Sequence, residues 1–270
     1  MTDTDTGSVP DAAPTGSDAI KTDRVNERIL VIRIDRPHRR NAFDYATACA
    51  LEKVIDEYEQ DDSLFCAILT GSDVVFSSGQ DLKAARFKDF AVTTRRGGFG
   101  IMNVPPGKPL IAAVEGYCLA GGLELCLACD MVVASRDAKM GIPEAARSLV
   151  PIGGGCFKLP KRLPYHLAME LAITGKSWTA ERMAQWGFIN RLTEPGGALE
   201  AAIELANDVA SCGPLAVKAC KQIVRHAYDW CDDEAWIKQK QFSEPVRLSE
   251  DYQEGLRAFA EKRRPVWKGR

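Results

Sequence analysis

Short apolar runs alternate with amphipathic stretches along most of the chain. The run at 28–35 (RILVIRID) is rich in β-branched residues and predicts a strand. It ends at Arg36-Pro37, because a residue before proline is driven out of the helical backbone region. Asp44 then suits the N-cap of a predicted helix. The apolar residues of that helix recur at helical spacing: Ala48, Leu51, Val54, Ile55 and Tyr58.

A unit of strand, strand and helix recurs at intervals of roughly 40 to 50 residues. The further elements that the pattern predicts are strands at 64–69, 74–76, 109–114 and 130–134 and a helix from Gly121 to Cys129. Sequence identity between the units is negligible, so only the order of elements repeats. Such a repeat favours a wound, solenoid-like core over an ordinary open sheet.

Two regions depart from the repeat. Residues 83–108 are polar, basic and glycine-bearing with weak periodicity, which predicts an irregular insertion with a mobile loop or a short helix. After Pro164 the pattern is mostly helical, with a short strand at 188–192. Helices are predicted at 165–174, 179–186, 197–211, 214–227, 232–248 and 251–262. Apolar stripes on the last four indicate a region that closes the core or pairs with another subunit.

Composition excludes several classes of protein. Of the 270 residues 46% are hydrophobic, enough for a packed core, and the net charge of -2 gives no basic field for nucleic acid or an acidic membrane. No apolar run is long enough for a transmembrane helix. Residues 1–22 lack the apolar region of a signal peptide and predict a disordered lead. We therefore expect a cytoplasmic protein whose nine cysteines are reduced.

Cys126 and Cys129 form a C-x-x-C pair, which could be a redox pair or half of a zinc site. Apolar residues surround them, and no second pair with ligand spacing exists. We therefore interpret them as small apolar residues on a buried helix face. No metal site is expected.

The remaining chemistry lies in backbone groups and carboxylates, since none of the three histidines has a partner for nucleophilic catalysis. Gly121-Gly122 opens a helix, where free N–H groups and the helix dipole favour negative charge. The turn at Ser78-Gly79-Gln80 offers another N–H. Two such donors facing each other would hold a carbonyl oxygen as it becomes an enolate.

Two glutamates accompany these donors. Glu124 lies in the first turn of the helix, and Glu144 follows the next strand and a turn. A carboxylate pair beside an oxyanion hole suits proton transfer at the carbons α and β to a carbonyl. Spacing alone equally allows two ordinary glutamates at a helix start or on the surface. The triplet Gly153-Gly154-Gly155 matches no phosphate-loop pattern and predicts a tight helix start.

Several ordered motifs make the chain resemble the enoyl-CoA hydratase/isomerase (crotonase) superfamily from Arg28 to Arg270. They are Arg36-Pro37 with Asn41-Ala42, FSSGQDL at 76–82, KPLIAAVEGYCLAGGLELCLACD at 108–130, GIPE at 141–144, VPIGGG at 150–155, TG at 174–175 and AFAEKRRPVWKGR at 258–270. The insertion, the glutamates and the PVWKGR ending are also similar to those of carnitinyl-CoA dehydratases.

The resemblance implies an α/β fold, a crotonase-like spiral of β-β-α units at 23–200 and a helical trimerisation region at 201–270. It implies a homotrimer or a dimer of trimers. The thioester oxygen of an acyl-CoA substrate would bind between the backbone N–H groups of Gln80 and Gly121. Gln80 replaces the more usual alanine, so its side chain is expected to reshape the acyl pocket.

By the same resemblance, Glu124 holds and activates water and Glu144 exchanges the α-proton. The implied reaction is reversible syn hydration of a trans-2-enoyl-CoA, without a metal or other cofactor beyond the CoA of the substrate. The implied substrate and CoA contacts are Arg39, Arg40, Ser78, Asp81, Leu82 and Lys83. For the basic residues among them, an ordinary solvated surface is an equal alternative.

Three other functions remain open. A carnitinyl-CoA dehydratase would need a site for a quaternary ammonium, for which Phe87, Phe90 and Phe99 are possible partners. An enoyl-CoA isomerase usually needs only one of the two carboxylates. A non-catalytic member that binds acyl-CoA or RNA is disfavoured by the intact glutamate pair and by the lack of a basic aromatic platform.

Overall fold

The structure is a computed structural model that describes residues 16–270. Its strands are β1 (Ile20–Asn26), β2 (Ile29–Ile34), β3 (Cys66–Thr70), β4 (Val75–Ser77), β5 (Val92–Thr93), β6 (Gly97–Gly98), β7 (Leu110–Val114), β8 (Tyr117–Leu119), β9 (Met131–Ser135), β10 (Lys139–Gly141), β11 (Trp178–Thr179) and β12 (Arg191–Thr193). Its helices are α1 (Tyr45–Gln60), α2 (Leu82–Ala85), α3 (Gly121–Ala128), α4 (Gly155–Lys158), α5 (Tyr165–Thr174), α6 (Ala180–Ala184), α7 (Ala198–Ala210), α8 (Pro214–His226), α9 (Asp232–Lys238), α10 (Lys240–Arg247) and α11 (Glu250–Ala260).

The strands form two main sheets that wind together. The larger sheet has the order β1-β2-β3-β7-β9-β12 and is parallel except for the β1–β2 pair. The smaller has the order β11-β10-β8-β4, with parallel pairs at β4–β8 and β8–β10. Each turn of the chain adds one strand to each sheet, as in β3–β4, β7–β8 and β9–β10. The predicted spiral of β-β-α units is therefore confirmed.

The central strands of the larger sheet, β2, β3, β7 and β9, are covered on both faces, which explains why they are almost continuously apolar. Every residue of β3 and β7 is buried. One face packs against the interior with α1 and α3. The other face receives α7 through buried alanines spaced four residues apart, namely Ala198, Ala202, Ala206 and Ala210. Small side chains at this spacing let the helix lie close to the sheet.

The 83–108 insertion is fastened to α1 by a buried arginine. Arg96 is 5% exposed and pairs with Asp56 (2.9 Å from Nε to Oδ1) and Glu59, and it donates to the Val104 carbonyl (2.9 Å). Burial works to raise the pKa of Glu59, but the hydrogen bonds from Arg96 and the Gly107 N–H and the positive charge of Arg96 together lower that pKa. The segment contains the end of the short helix α2, as one of the two predicted alternatives, and a short hairpin, β5–β6, that the sequence analysis did not predict.

Replacing Arg96 by methionine is expected to destabilise the fold by about 3 kcal/mol or more, because two carboxylates lose a buried partner. Arg95 provides the matched control, since it also pairs with Asp56 but is 60% exposed at its side chain. Arg95→Met should cost about 1 kcal/mol or less. Urea denaturation of both variants measures the difference. Equal losses would show that the Arg96 pairs do not anchor the segment.

Several boundaries differ from the sequence predictions. Residues 1–15 of the predicted lead lie outside the described residues, but Ile20 to Thr22 belong to β1, which the sequence analysis missed. The strands β8 and β10 were missed too, because three residues are too short to show a period. The predicted helix 232–248 is two helices, α9 and α10. The predicted division at residue 200 falls inside α7, which packs on the larger sheet.

The cysteine interpretation is confirmed. Cys126 and Cys129 are both buried, and burial raises the pKa of each thiol well above its ordinary value. A buried, protonated thiol behaves as a small apolar side chain. Among residues 16–270, no helix has the length and apolar character needed to cross a bilayer.

Candidate active site

Two glycine turns meet at the centre of the molecule. Gly79 follows β4 with a φ of 93°, and Gly121 begins α3 after β8. A Cβ on Gly79 would lie 2.9 Å from the Gly121 nitrogen, and a Cβ on Gly121 would lie 3.4 Å from the Gly79 Cα. The close approach of the two backbones therefore requires glycine at position 79, whereas a Cβ on Gly121 is excluded by the Phe99 ring, 2.5 Å away.

The turns carry the two predicted donors. The Phe43 N–H donates to the Gly79 carbonyl (2.8 Å), and the Asp81 N–H donates to the Phe43 carbonyl (2.8 Å), so that Phe43 and Gln80 form a parallel bridge. In an extended strand, successive residues direct their N–H and carbonyl groups to opposite sides. Gly79 and Asp81 bond to Phe43, so the N–H of Gln80, between them, points away from Phe43. Among residues 16–270, the N–H groups of Gln80 and Gly121 donate to no protein acceptor. The structure thus places two free backbone donors on adjoining turns.

Buried polar side chains hold the first turn in place. Asn41 donates to the carbonyls of Val75 (2.9 Å) and Phe76 (3.2 Å), while the Ser77 hydroxyl donates to the Asn41 carbonyl (2.8 Å). The motif residues Asn41 and Ser77 therefore fix the backbone on which Gln80 lies. Without these bonds, buried carbonyls would lack donors, which is costly.

Glu124 lies on α3 and its carboxylate is buried. It is 4% exposed, and its Oε1 accepts from the N–H of Gly155 (2.8 Å). Burial raises the pKa of Glu124, while the N–H groups of Gly155 and Gly153 and the charge of Lys158 oppose this. The glycine triplet starts α4, as predicted. Its N–H groups also hold Glu124, which the sequence analysis did not foresee.

Glu144 lies in a 3-10 helix, Pro143–Arg147, that follows β10. Its Oε2 atom is buried and is without a hydrogen-bond partner among the described residues. Burial, with a further contribution from the negative charge of Glu124, raises the pKa of Glu144 to about 7. A carboxyl group with this pKa can both donate and accept a proton near neutral pH.

The predicted CoA contacts gather around the first turn. The N–H of Ser78 donates to the Arg40 carbonyl (3.2 Å), which brings Arg39 and Arg40 beside it. Leu82 and Lys83 are exposed on α2. Asp81 differs from the others, because it is buried, pairs with Arg36 (3.0 Å) and caps α2. We therefore assign Asp81 to holding the turn rather than to CoA.

The side chain of Gln80 points towards the 83–108 insertion. Its Oε1 accepts from the Ala91 N–H (3.0 Å), and its Nε2 donates to the carbonyls of Asp89 (3.2 Å) and Asp81 (3.3 Å). Of the aromatic residues proposed for a quaternary ammonium, Phe87 and Phe90 are 86% and 54% exposed, whereas Phe99 is buried beside Gly121. In the sequence, the glutamine at position 80 in place of the more usual alanine was the sign that this side chain would contact neighbouring residues.

Comparisons with known proteins agree with this architecture. A family model described as enoyl-CoA hydratase/isomerase matches residues 24–270. Enoyl-CoA hydratase EchA19 of Mycobacterium tuberculosis is 38% identical over 248 residues, 89% of this chain and 93% of that protein. Carnitinyl-CoA dehydratase of Salmonella typhi is 40% identical over 257 residues, 91% of this chain and 97% of that protein.

Solved structures give the same result. A crystal structure of enoyl-CoA hydratase from Mycobacterium tuberculosis H37Rv has a TM-score of 0.90 and 47% identity, covering 93% of this chain and 99% of that one. A probable enoyl-CoA hydratase/isomerase from Mycobacterium abscessus has a TM-score of 0.89 and 48% identity, covering 94% and 99%. The chain is therefore an enzyme with the crotonase fold. It belongs to the enoyl-CoA hydratase/isomerase family.

Proposed function

We propose that the protein catalyses the reversible syn hydration of a trans-2-enoyl-CoA thioester. The observation that carries the proposal is the buried, unpartnered oxygen of Glu144, whose pKa is raised to about 7, beside the buried carboxylate of Glu124. A carboxyl group in this state is costly to the fold unless a substrate group completes its hydrogen bonding. The two free N–H groups of Gln80 and Gly121 supply the complementary site for the thioester oxygen.

In this mechanism, the thioester oxygen accepts both backbone hydrogen bonds and polarises the conjugated double bond. Glu124, as the carboxylate, takes a proton from water, and the oxygen of that water adds to Cβ. Glu144, as the acid, donates its proton to Cα. The negative charge that collects on the thioester oxygen is stabilised by donors that are already in place, each worth about 3 kcal/mol of barrier.

CoA is proposed to lie along the basic rim of the first turn, with Arg39, Arg40 and Lys83 near its phosphates. Support for this placement is the bond from Ser78 to Arg40, which puts the rim next to the Gln80 donor. The substrate would then reach the carboxylates with only its acyl thioester inside the protein.

The proposed function is tested by assaying crotonyl-CoA, longer trans-2-enoyl-CoAs, a 3-enoyl-CoA and carnitinyl-CoA side by side, with identification of each product. We expect conversion of a trans-2-enoyl-CoA to the 3-hydroxyacyl-CoA. No hydration of any of these thioesters, with CoA binding retained, would instead support a non-catalytic acyl-CoA-binding protein.

The pH profile follows from the carboxylate pair. Hydration requires protonated Glu144 and ionised Glu124, whereas dehydration requires ionised Glu144 and protonated Glu124. The active state of the pair therefore carries one proton in both directions. The raised pKa of Glu144, about 7, means that this proton is lost as the pH rises through neutrality. We expect kcat/KM to fall about tenfold per pH unit above that point, equally in both directions. A profile that stays flat well above neutral pH would contradict this assignment.

Dehydration of carnitinyl-CoA is a second candidate, favoured by the 40% identity to the Salmonella typhi enzyme of that name. It would use the same two glutamates and donors. Phe99 could present only one ring face to the quaternary ammonium, because the other stacks on Phe43 at 4.4 Å between centroids. Formation of crotonobetainyl-CoA in the assay above, at a rate exceeding crotonyl-CoA hydration, would favour this candidate.

We further propose a homotrimer, alone or as a dimer of trimers. Support comes from large apolar side chains on the C-terminal helices, where Trp236, Leu248 and Phe259 are 71%, 77% and 87% exposed in the single chain. Contact with another copy would remove this apolar surface from water. Sedimentation velocity should give three or six chain masses, and a monomer would refute the proposal.

A further inference from the structure

Two side chains of the insertion lie beside the donor Gly121 and the carboxylate of Glu124. The ring of Phe99 lies 2.5 Å from the position of a Cβ on Gly121. The sulfur of Met102 lies 2.4 Å from the position of a Cβ on Gly153, and Oε2 of Glu124 lies 2.7 Å from that same position. Phe99 therefore borders the oxyanion donor, and Met102 borders the carboxylate that activates water.

The direction of the acyl chain follows from the proposed function. With the thioester oxygen between Gln80 and Gly121, Cα lies by Glu144 and Cβ by Glu124. Atoms beyond Cβ then continue past Glu124 towards Met102. Phe99 and Met102 are only 6% and 2% exposed. They would therefore contact the acyl chain as packed core residues rather than as surface side chains.

This wall is held in place at several points. The Phe99 N–H donates to the Ala91 carbonyl (2.7 Å), and the Ala91 N–H donates to the Gln80 side chain. Lys158, on α4, donates to the Met102 carbonyl (2.8 Å). Together with the Arg96 ion pairs, these bonds fix the segment to the oxyanion turn on one side and to α4 on the other. Displacing it would leave buried polar groups without partners.

We propose that Phe99 and Met102 form the closed end wall of the acyl pocket and restrict the enzyme to short-chain enoyl thioesters. Gln80 is a positioning residue, because its side chain holds the wall at a fixed distance from the oxyanion donor on its own backbone. The inference rests on the proposed function, and it names the class of acyl group.

The experiment compares kcat/KM for crotonyl-CoA with kcat/KM for trans-2-octenoyl-CoA. The wild type should prefer crotonyl-CoA, and Met102→Ala and Phe99→Ala should shift the ratio towards the longer substrate by about tenfold or more, as expected for space gained in an apolar pocket. Met183→Ala, which truncates a buried methionine on α6, is the matched control and should leave the ratio unchanged. Gln80→Met, of similar length but without the hydrogen bonds, should shift the ratio in the same direction.

A wild-type enzyme that turns over both substrates equally well, or wall variants with an unchanged ratio, would overturn the proposal. An unchanged ratio in Gln80→Met would remove the positioning role of Gln80. Calorimetric binding of butyryl-CoA and octanoyl-CoA separates this inference from the proposed function, because it needs no turnover. Selective binding of butyryl-CoA without hydration of any thioester would support the wall and refute the hydratase. Equal binding of both would refute the wall alone.

Discussion

Replacement of Glu144 by glutamine is expected to lower kcat for crotonyl-CoA hydration by about a thousandfold, with a much smaller change in KM. The amide keeps the shape of the side chain but cannot deliver a proton to Cα, and general acid catalysis of this kind typically contributes 10²- to 10⁴-fold, by order of magnitude. Steady-state assays at constant pH, below the alkaline limb of the profile, measure the loss.

The fold should survive this change, which separates catalysis from stability. Because the pKa of Glu144 is raised from 4.5 to about 7, its ionised form destabilises the folded state as the pH rises above the unfolded value. A neutral amide avoids that cost, so urea denaturation above neutral pH should show equal or greater stability for Glu144→Gln. Activity close to that of the wild type would mean that another group moves the α-proton.

The second large effect is expected for Gly79→Ala, which should reduce kcat/KM by about 10²- to 10³-fold, the loss associated with one oxyanion donor. The new Cβ would lie 2.9 Å from the Gly121 nitrogen and 2.8 Å from the Ala120 Cβ, so the two donor turns must separate. The backbone φ of 93° adds strain for any residue with a Cβ.

Gly196→Ala is the matched control. Its φ of 87° imposes a similar backbone strain, but no atom lies within 4 Å of the new Cβ. It should lose stability by about 1 kcal/mol and keep its activity, because the strain lies away from the site. If both variants lost activity alike, the effect of Gly79→Ala would come from strain and not from the spacing of the donors.

The repeated apolar runs were sufficient to predict a wound core, and the family resemblance supplied the spiral of β-β-α units. The second strands of two turns, β8 and β10, are too short to show a period. The pairing of Gln80 with Gly121 was predicted only through the family resemblance. Spacing alone left Glu124 and Glu144 as possible surface residues, since their burial depends on contacts between elements. Helix α3, which carries Glu124, packs against α4, and the 3-10 helix that carries Glu144 packs against α5. The raised pKa values follow from that burial.

The residues proposed to line the acyl pocket could not be predicted in the same way. Met102 and Phe99 lie in a segment without periodicity, and their positions depend on contacts with residues far along the chain, such as Lys158 and Glu59. Gly155 is a similar case, because its N–H holds Glu124 across 31 positions of sequence. Long-range polar contacts of this kind leave no local pattern.

The division of work between the two glutamates is the central claim, and proton exchange tests it most directly. Butyryl-CoA has an α-proton but no double bond to hydrate, so its exchange with D2O, followed by NMR, reports only the oxyanion donors and the group that moves that proton. The wild type and Glu124→Gln should both exchange it, whereas Glu144→Gln should not. Exchange that is lost in Glu124→Gln and kept in Glu144→Gln would contradict the assignment.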